Sequence, residues 1–140
     1  MKVFIDTNVL IAAAVSDGHC RFLLNRILKE HQASLGEDGL SELRRKLLAK
    51  FKQPKQDVDA WERLLRSLCS VQPHQAHPPK ISRDPQDDWV LASALMAKSD
   101  CILTGDKDLL VLGHYKGIVI VGPADFLGLA GRFSRGKPKA

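Results

Sequence analysis

The chain has 140 residues, of which 44% are hydrophobic and 26% charged, the size and balance of one globular domain rather than a disordered segment. Lys and Arg number 21 against 16 Asp and Glu, a net charge of +5 that permits nucleic-acid binding without requiring it. No apolar run approaches the ~18 residues of a membrane span, the start lacks the basic and apolar regions of a secretory signal, and three cysteines without CxxC spacing suit a reduced, cytoplasmic protein.

Residues 3–5 read as a short buried strand that stops at Asp6-Thr7-Asn8. Residues 9–15 look helical, and a second helix fits 21–31 through Phe22, Leu23, Ile27 and Leu28. Residues 33–35 form a weak strand candidate. The stretch 39–51 places Leu40, Leu43, Leu47 and Phe51 on one helical stripe, and 58–69 repeats the pattern through Trp61, Leu64, Leu65 and Leu68. Pro73, Pro78 and Pro79 mark a loop over 72–80. Asp84 and Pro85 open a helix running to about 98 that is apolar nearly all round, and so is expected to be central. A strand at 101–103, a Thr104-Gly105-Asp106 turn, a short helix at 107–112, a β-branched strand at 118–121 and a last helix at 125–129 complete a domain over 1–130. Residues 131–140 read as a basic, disordered tail.

Short strands alternating with helices imply right-handed crossovers: an α/β fold, a three-layer α/β/α sandwich around a central parallel sheet. In such folds ligands gather outside the carboxyl ends of the strands. Asp6 follows the first strand directly and Asp106 lies three residues beyond the 101–103 strand, so neighbouring strands would bring both carboxylates to one crevice.

Four carboxylates are candidates for that site: Asp6, Glu42, Asp88 and Asp106. Two carboxylates ~5 Å apart repel by about 3 kcal/mol at an effective dielectric near 20, and a divalent ion reverses that cost. Bland roles compete at each position. Asp6, Asp106 and Asp108 are all placed to cap helices, and Glu42, nearly opposite the apolar stripe, equally suits a solvated face. Asp84, Pro85 and Asp87 make a strong helix start, so Asp84 and Asp87 are expected chiefly to cap and to complement the helix dipole. Asp88 lies one residue beyond that explanation and is favoured as a ligand. The cations concentrate over 44–66, led by Arg44, Arg45, Lys46, Lys50 and Lys52, which suits either a solvated helix face or an RNA backbone.

Taken in order, KVFIDTNVLIAA, GLSELRRKL, RDPQDDWVLASAL and LTGDKDLL make the chain resemble the PIN-domain family, and within it the PIN-type toxins of bacterial toxin–antitoxin systems. The resemblance spans residues 2 to about 127 and rests on the ordered set, not on any one motif. It implies an endoribonuclease dependent on Mg²⁺ or Mn²⁺ and leaving 5′-phosphate and 3′-hydroxyl ends, with Asp6, Glu42, Asp88 and Asp106 as the site acids. Asp87 and Asp108 would then be secondary ligands, and Thr7, Asn8 and Thr104 orienting groups. It also implies an antitoxin partner and a homodimer. One departure is Gly39, which as a helical residue costs about 1 kcal/mol relative to Ala and weakens the placement of Glu42.

Three other readings compete. An aspartyl-phosphate enzyme would want an acid two residues after Asp6, where Asn8 stands. A non-catalytic RNA- or protein-binding module would explain the cations but not the acids. A zinc site at His74-x-x-His77 has suitable spacing but no nearby cysteine.

Overall fold

The structure, a computed structural model, describes residues 1–136, with side chains through 132. Alternation along the two central strands organises everything else. In β1 (Lys2–Ile5), Val3 and Ile5 face one layer of helices and Phe4 faces the other. The first layer holds α1 (Thr7–Val15), α2 (His19–Glu30), then, after β2 (Gln32–Gly36), α3 (Glu37–Ala49) and α4 (Lys55–Leu68). After β3 (Ser70–Gln72) the chain crosses the sheet to the second layer, which holds α5 (Pro85–Met96) and, after the central strand β4 (Cys101–Leu103), α6 (Lys107–Leu112). It ends with β5 (His114–Tyr115), β6 (Ile118–Val121) and α7 (Pro123–Gly136), whose Phe126 returns to the first core. In β4, Cys101 and Leu103 match Val3 and Ile5, while Ile102 matches Phe4.

The strand order is β3-β2-β1-β4-β6-β5, with every pair parallel except β5–β6. This is the expected α/β/α sandwich with one antiparallel edge. The reversal at that edge has a local cause. Lys116 and Gly117 both take left-handed backbone angles, φ 46° and 83°, as a tight two-residue hairpin demands.

Several elements depart from the sequence reading. The helix expected to end at 51 stops at Ala49, and Lys52 adopts φ 54°, so Phe51 swings out to 38% exposure instead of closing the apolar stripe. Helix α5 is covered on one side only, with Leu95 and Met96 exposed. Strands β3 and β5 hold three and two residues; pairing with β2 and β6, not propensity, makes them strands. Helix α7 continues to Gly136, past the start of the expected tail at 131, because Leu129 and Ala130 pack on the core and the glycines at 128 and 131 do not outweigh that anchor. Residues 137–140 of that tail lie outside the described residues.

Gly39 has a structural reason. A Cβ there would lie 2.8 Å from Thr7 Oγ1, on a buried β-branched side chain with little room to turn, so glycine lets α3 approach α1. Gly39→Ala is therefore expected to lower stability by about 1–2 kcal/mol, overpacking outweighing the gain in helix propensity. Adding Thr7→Ala removes the clash, and thermal melts should show the double variant recovering most of the loss.

Candidate active site

The carboxyl ends of β1, β4 and β6 are laced together beyond the strands themselves. Asp6 N–H donates to Leu103 O at 2.9 Å, and Thr104 N–H donates to Val121 O at 3.0 Å. The Thr104 side chain, fully buried, then donates its hydroxyl to Asp6 Oδ2 at 2.7 Å and accepts the Asp106 N–H at 3.0 Å. One hydroxyl thus sets the spacing of two acids from different strands. Asn8 adds a second tie, its Oδ1 accepting from Gly105 N–H at 3.2 Å. Asp6 also caps α1, its Oδ1 accepting from Thr7 N–H at 2.7 Å, and Asp106 caps α6 by accepting from Asp108 N–H at 2.8 Å. Capping and site membership coexist in both residues.

These acids line a cleft of about 230 Å³ together with Glu42, Asp84 and Asp87. Asp84, Asp87 and Asp106 each offer a carboxylate oxygen within 4.8 Å of the others. Asp84 performs its expected capping, accepting from Gln86 N–H at 3.0 Å, and still faces the cleft. Thr7 and Ser93, both buried, supply hydroxyls to the same wall, and Asp38 stands at its edge. Ser93 carried no sequence signal; the near approach of Gly36, where a Cβ would sit 3.3 Å from Ser93 Oγ, is what places it there.

Two expected site residues are turned elsewhere. Asp88 is buried, but its Oδ1 accepts from Ile81 N–H at 2.9 Å and Ser82 N–H at 2.7 Å, fastening the loop before α5. It does not line the cleft; Asp87, one position earlier and about 100° around the helix, does. Asp108 pairs outward with Arg83 at 2.9 Å and is likewise absent from the cleft wall. The basic segment divides similarly. Arg44 is bound to Asp59 at 2.6 Å and Glu62 at 3.3 Å across the α3–α4 contact. Lys46 reaches Glu42 at 2.8 Å on the cleft wall. Arg45, Lys50 and Lys52 make no ion pair among the described residues. His74 is engaged by Asp38 at 2.8 Å, and the one metal-compatible grouping of His, Cys, Asp and Glu among the described residues is the acidic one, so the zinc reading has no site.

The electrostatics follow from the crowding. Burial is the main cause that raises the Asp6 pKa; Asp106 and Glu42 add to it, and the hydrogen bonds from Thr104 and Thr7 oppose it. Burial also pushes Asp87 up, to about 7, helped by its hydrogen bond to Asp106 and by repulsion from Asp106 and Asp84. Oxygen-only donors of net negative charge, unwilling to ionise together, fit a hard divalent cation such as Mg²⁺ or Mn²⁺.

The PIN domain family matches residues 2–108. The chain belongs to the PIN-domain family. No curated protein matches this PIN domain in sequence. Its fold recurs in VapBC2 from Rickettsia felis, a complex bound to a DNA fragment from its promoter, at TM-score 0.60 and 11% identity over 87% of this chain and 98% of that one. FitAcB from Neisseria gonorrhoeae is similar at TM-score 0.59 and 15% identity, over 87% and 98%. VapC20 from Mycobacterium tuberculosis, a sarcin–ricin-loop-cleaving toxin, is similar at TM-score 0.60 and 13% identity, over 84% and 98%.

The raised carboxyls carry a pH signature. Between the unfolded value of ~4 and the folded values, the native PIN domain binds more protons than the unfolded chain, so metal-free stability falls as pH rises. The lowered carboxyls of Glu37, held by Arg66, and Asp59, held by Arg44, act the opposite way but complete their effect below about pH 5. Burial lowers the His31 pKa, which opposes this trend below about pH 6.5. Thermal melts in EDTA should therefore show Tm dropping by about 2–3 °C between pH 6.5 and pH 8, and Asp87→Asn should flatten that slope.

Proposed function

We propose that this PIN domain is a Mg²⁺- or Mn²⁺-dependent endoribonuclease that hydrolyses RNA phosphodiester bonds as the toxin of a toxin–antitoxin pair. The observation that carries the reading is the convergence of Asp6, Glu42, Asp84, Asp87 and Asp106 from four separate parts of the chain into one cleft. Helix capping accounts for Asp6, Asp84 and Asp106 one by one, but not for their facing one another with Glu42 and Asp87 across one cleft. The family, and the likeness in fold to a sarcin–ricin-loop-cleaving toxin, support the biological frame we propose: an antitoxin partner, with a cytoplasmic site of action and a homodimer as further expectations.

In this reading Asp84, Asp87 and Asp106, whose carboxylate oxygens lie within 4.8 Å of one another, hold the ion, and Asp6 and Glu42 complete the acidic wall. When bound, the divalent ion supplies Lewis acidity, lowering the pKa of water and offsetting phosphate charge. The chain's own groups do the rest. Thr104 holds Asp6 and Asp106 at fixed separation, and Asn8 fixes the turn between them through Gly105. Asp87, inclined to keep its proton without metal, releases it on metal binding, so metal affinity rises with pH. Lys46, beside Glu42, restrains that carboxylate and keeps a cation at the cleft wall. Arg45, Lys50 and Lys52 attract the RNA backbone, an attraction that weakens with salt. Arg44 serves the α3–α4 contact instead, and Asp88 serves the loop.

The test is cleavage of end-labelled single-stranded RNA with Mn²⁺, Mg²⁺ or EDTA. Cleavage is expected with either metal and not with EDTA. Asp6→Asn and Asp87→Asn should each lose at least about 100-fold, whereas Asp88→Asn, whose amide oxygen still accepts the two loop N–H groups, should stay within about fivefold of wild type. RNA binding with no metal-dependent cleavage would leave a binding module in place of the enzyme.

A further inference from the structure

Beside the acidic cleft lies a second, shallower depression of about 240 Å³ that shares four of its walls, Asp38, Glu42, Gln86 and Trp89, and adds Ser41 and Arg45. Trp89 is the joint between the two. It sits on α5 two residues beyond Asp87 and is only half-buried. Its orientation is held from outside the helix. The Asp38 carboxylate accepts from His74 Nδ1 at 2.8 Å, and the His74 ring meets the indole edge-on, centroids 5.6 Å apart at 65°. A surface tryptophan braced this way lies next to a free guanidinium, Arg45, and an exposed amide, Gln86. The Asp38–His74 pair is not needed for a metal site, and the indole is not needed to close the core, since Trp89 belongs to neither hydrophobic cluster.

We propose that this depression is a nucleobase subsite, in which Trp89 stacks the base adjoining the phosphate held in the acidic cleft while Arg45 draws the neighbouring phosphate. The inference rests on the ribonuclease reading for its ligand, single-stranded RNA. Stacking suits the place: a base presents a neutral π-face that tolerates nearby carboxylates, and aromatic platforms beside a cationic track are how single strands are gripped without sequence-specific contacts. Gln86, with a donor and an acceptor on one amide, can meet a base edge. Asp38 acts through His74 and is a positioning residue for the indole.

Two measurements test it on the full chain, in Ca²⁺, with gels confirming that the RNA stays intact. The first is a cycle of four affinities: wild type and Trp89→Leu, each with a short fluorescein-labelled RNA and the same RNA carrying abasic positions. Wild type should lose about tenfold on the abasic RNA; Trp89→Leu should bind the intact RNA about tenfold more weakly and be indifferent to base removal. Trp89→Phe, which keeps an aromatic face, should recover most of the affinity, and matching Tm values separate stacking from misfolding. The second uses Trp61→Phe, which leaves Trp89 as the chain's one tryptophan; its emission should be quenched on titration with intact RNA. Equal losses on the abasic RNA in wild type and Trp89→Leu, or no quenching at saturation, would overturn the subsite. If Mn²⁺-dependent cleavage persists alongside either result, only the subsite fails; if wild type neither binds nor cleaves RNA, both readings fail.

Discussion

The Thr104 hydroxyl is the point through which the site is built. It donates to Asp6 and accepts from the Asp106 amide, so a single buried oxygen spans the ends of two adjacent parallel strands. Those strands are the centre of the sheet, and their side chains alternate between two hydrophobic cores. The position of the acids is therefore as rigid as the packing beneath them. Loss of that hydroxyl would leave Asp6 buried with one side-chain oxygen unpartnered, a cost that falls on the folded state and on the site together.

Around that bridge the chain accumulates negative charge that it does not neutralise from within. Cations are available nearby, but several are committed: Arg44 to Asp59 and Glu62, Arg66 to Glu37 and Glu62, Arg83 to Asp108. Among the described ion pairs at the cleft, Lys46 takes Glu42 and His74 takes Asp38 at its edge, and neither reaches the buried acids. Asp6 and Asp87 are left to hold protons or to receive an external cation. On the proposed reading, this repulsion beside the central strands serves ligation, with stability conceded locally.

Much of this was legible in the residues. Strand β1 and its following acid stand out because three apolar residues end abruptly in Asp6-Thr7-Asn8, and the same break recurs at Thr104-Gly105-Asp106. The place of Glu42 opposite the Leu40, Leu43 and Leu47 stripe correctly predicted that it leaves the core. The choice between Asp87 and Asp88 was not legible, because it turns on which side of α5 meets the sheet, and an all-round apolar helix hides that. Reading capping and ligation as alternatives also misled: Asp84 does the first while facing the cleft. Gly39 looked like a weakness in α3 and is a close approach to Thr7. Arg44 looked like a free cation because its partners lie on a different helix. Strands β3 and β5 exist only through their neighbours.

The central claim is that the carboxylates of the cleft are a cation site, and its most direct measurement is anomalous diffraction at the manganese edge from crystals grown with Mn²⁺. A peak is expected inside the cleft, within coordination distance of Asp84, Asp87 and Asp106. A map without a peak there at saturating Mn²⁺, or with its only peak at Asp88 or Asp108, would contradict it.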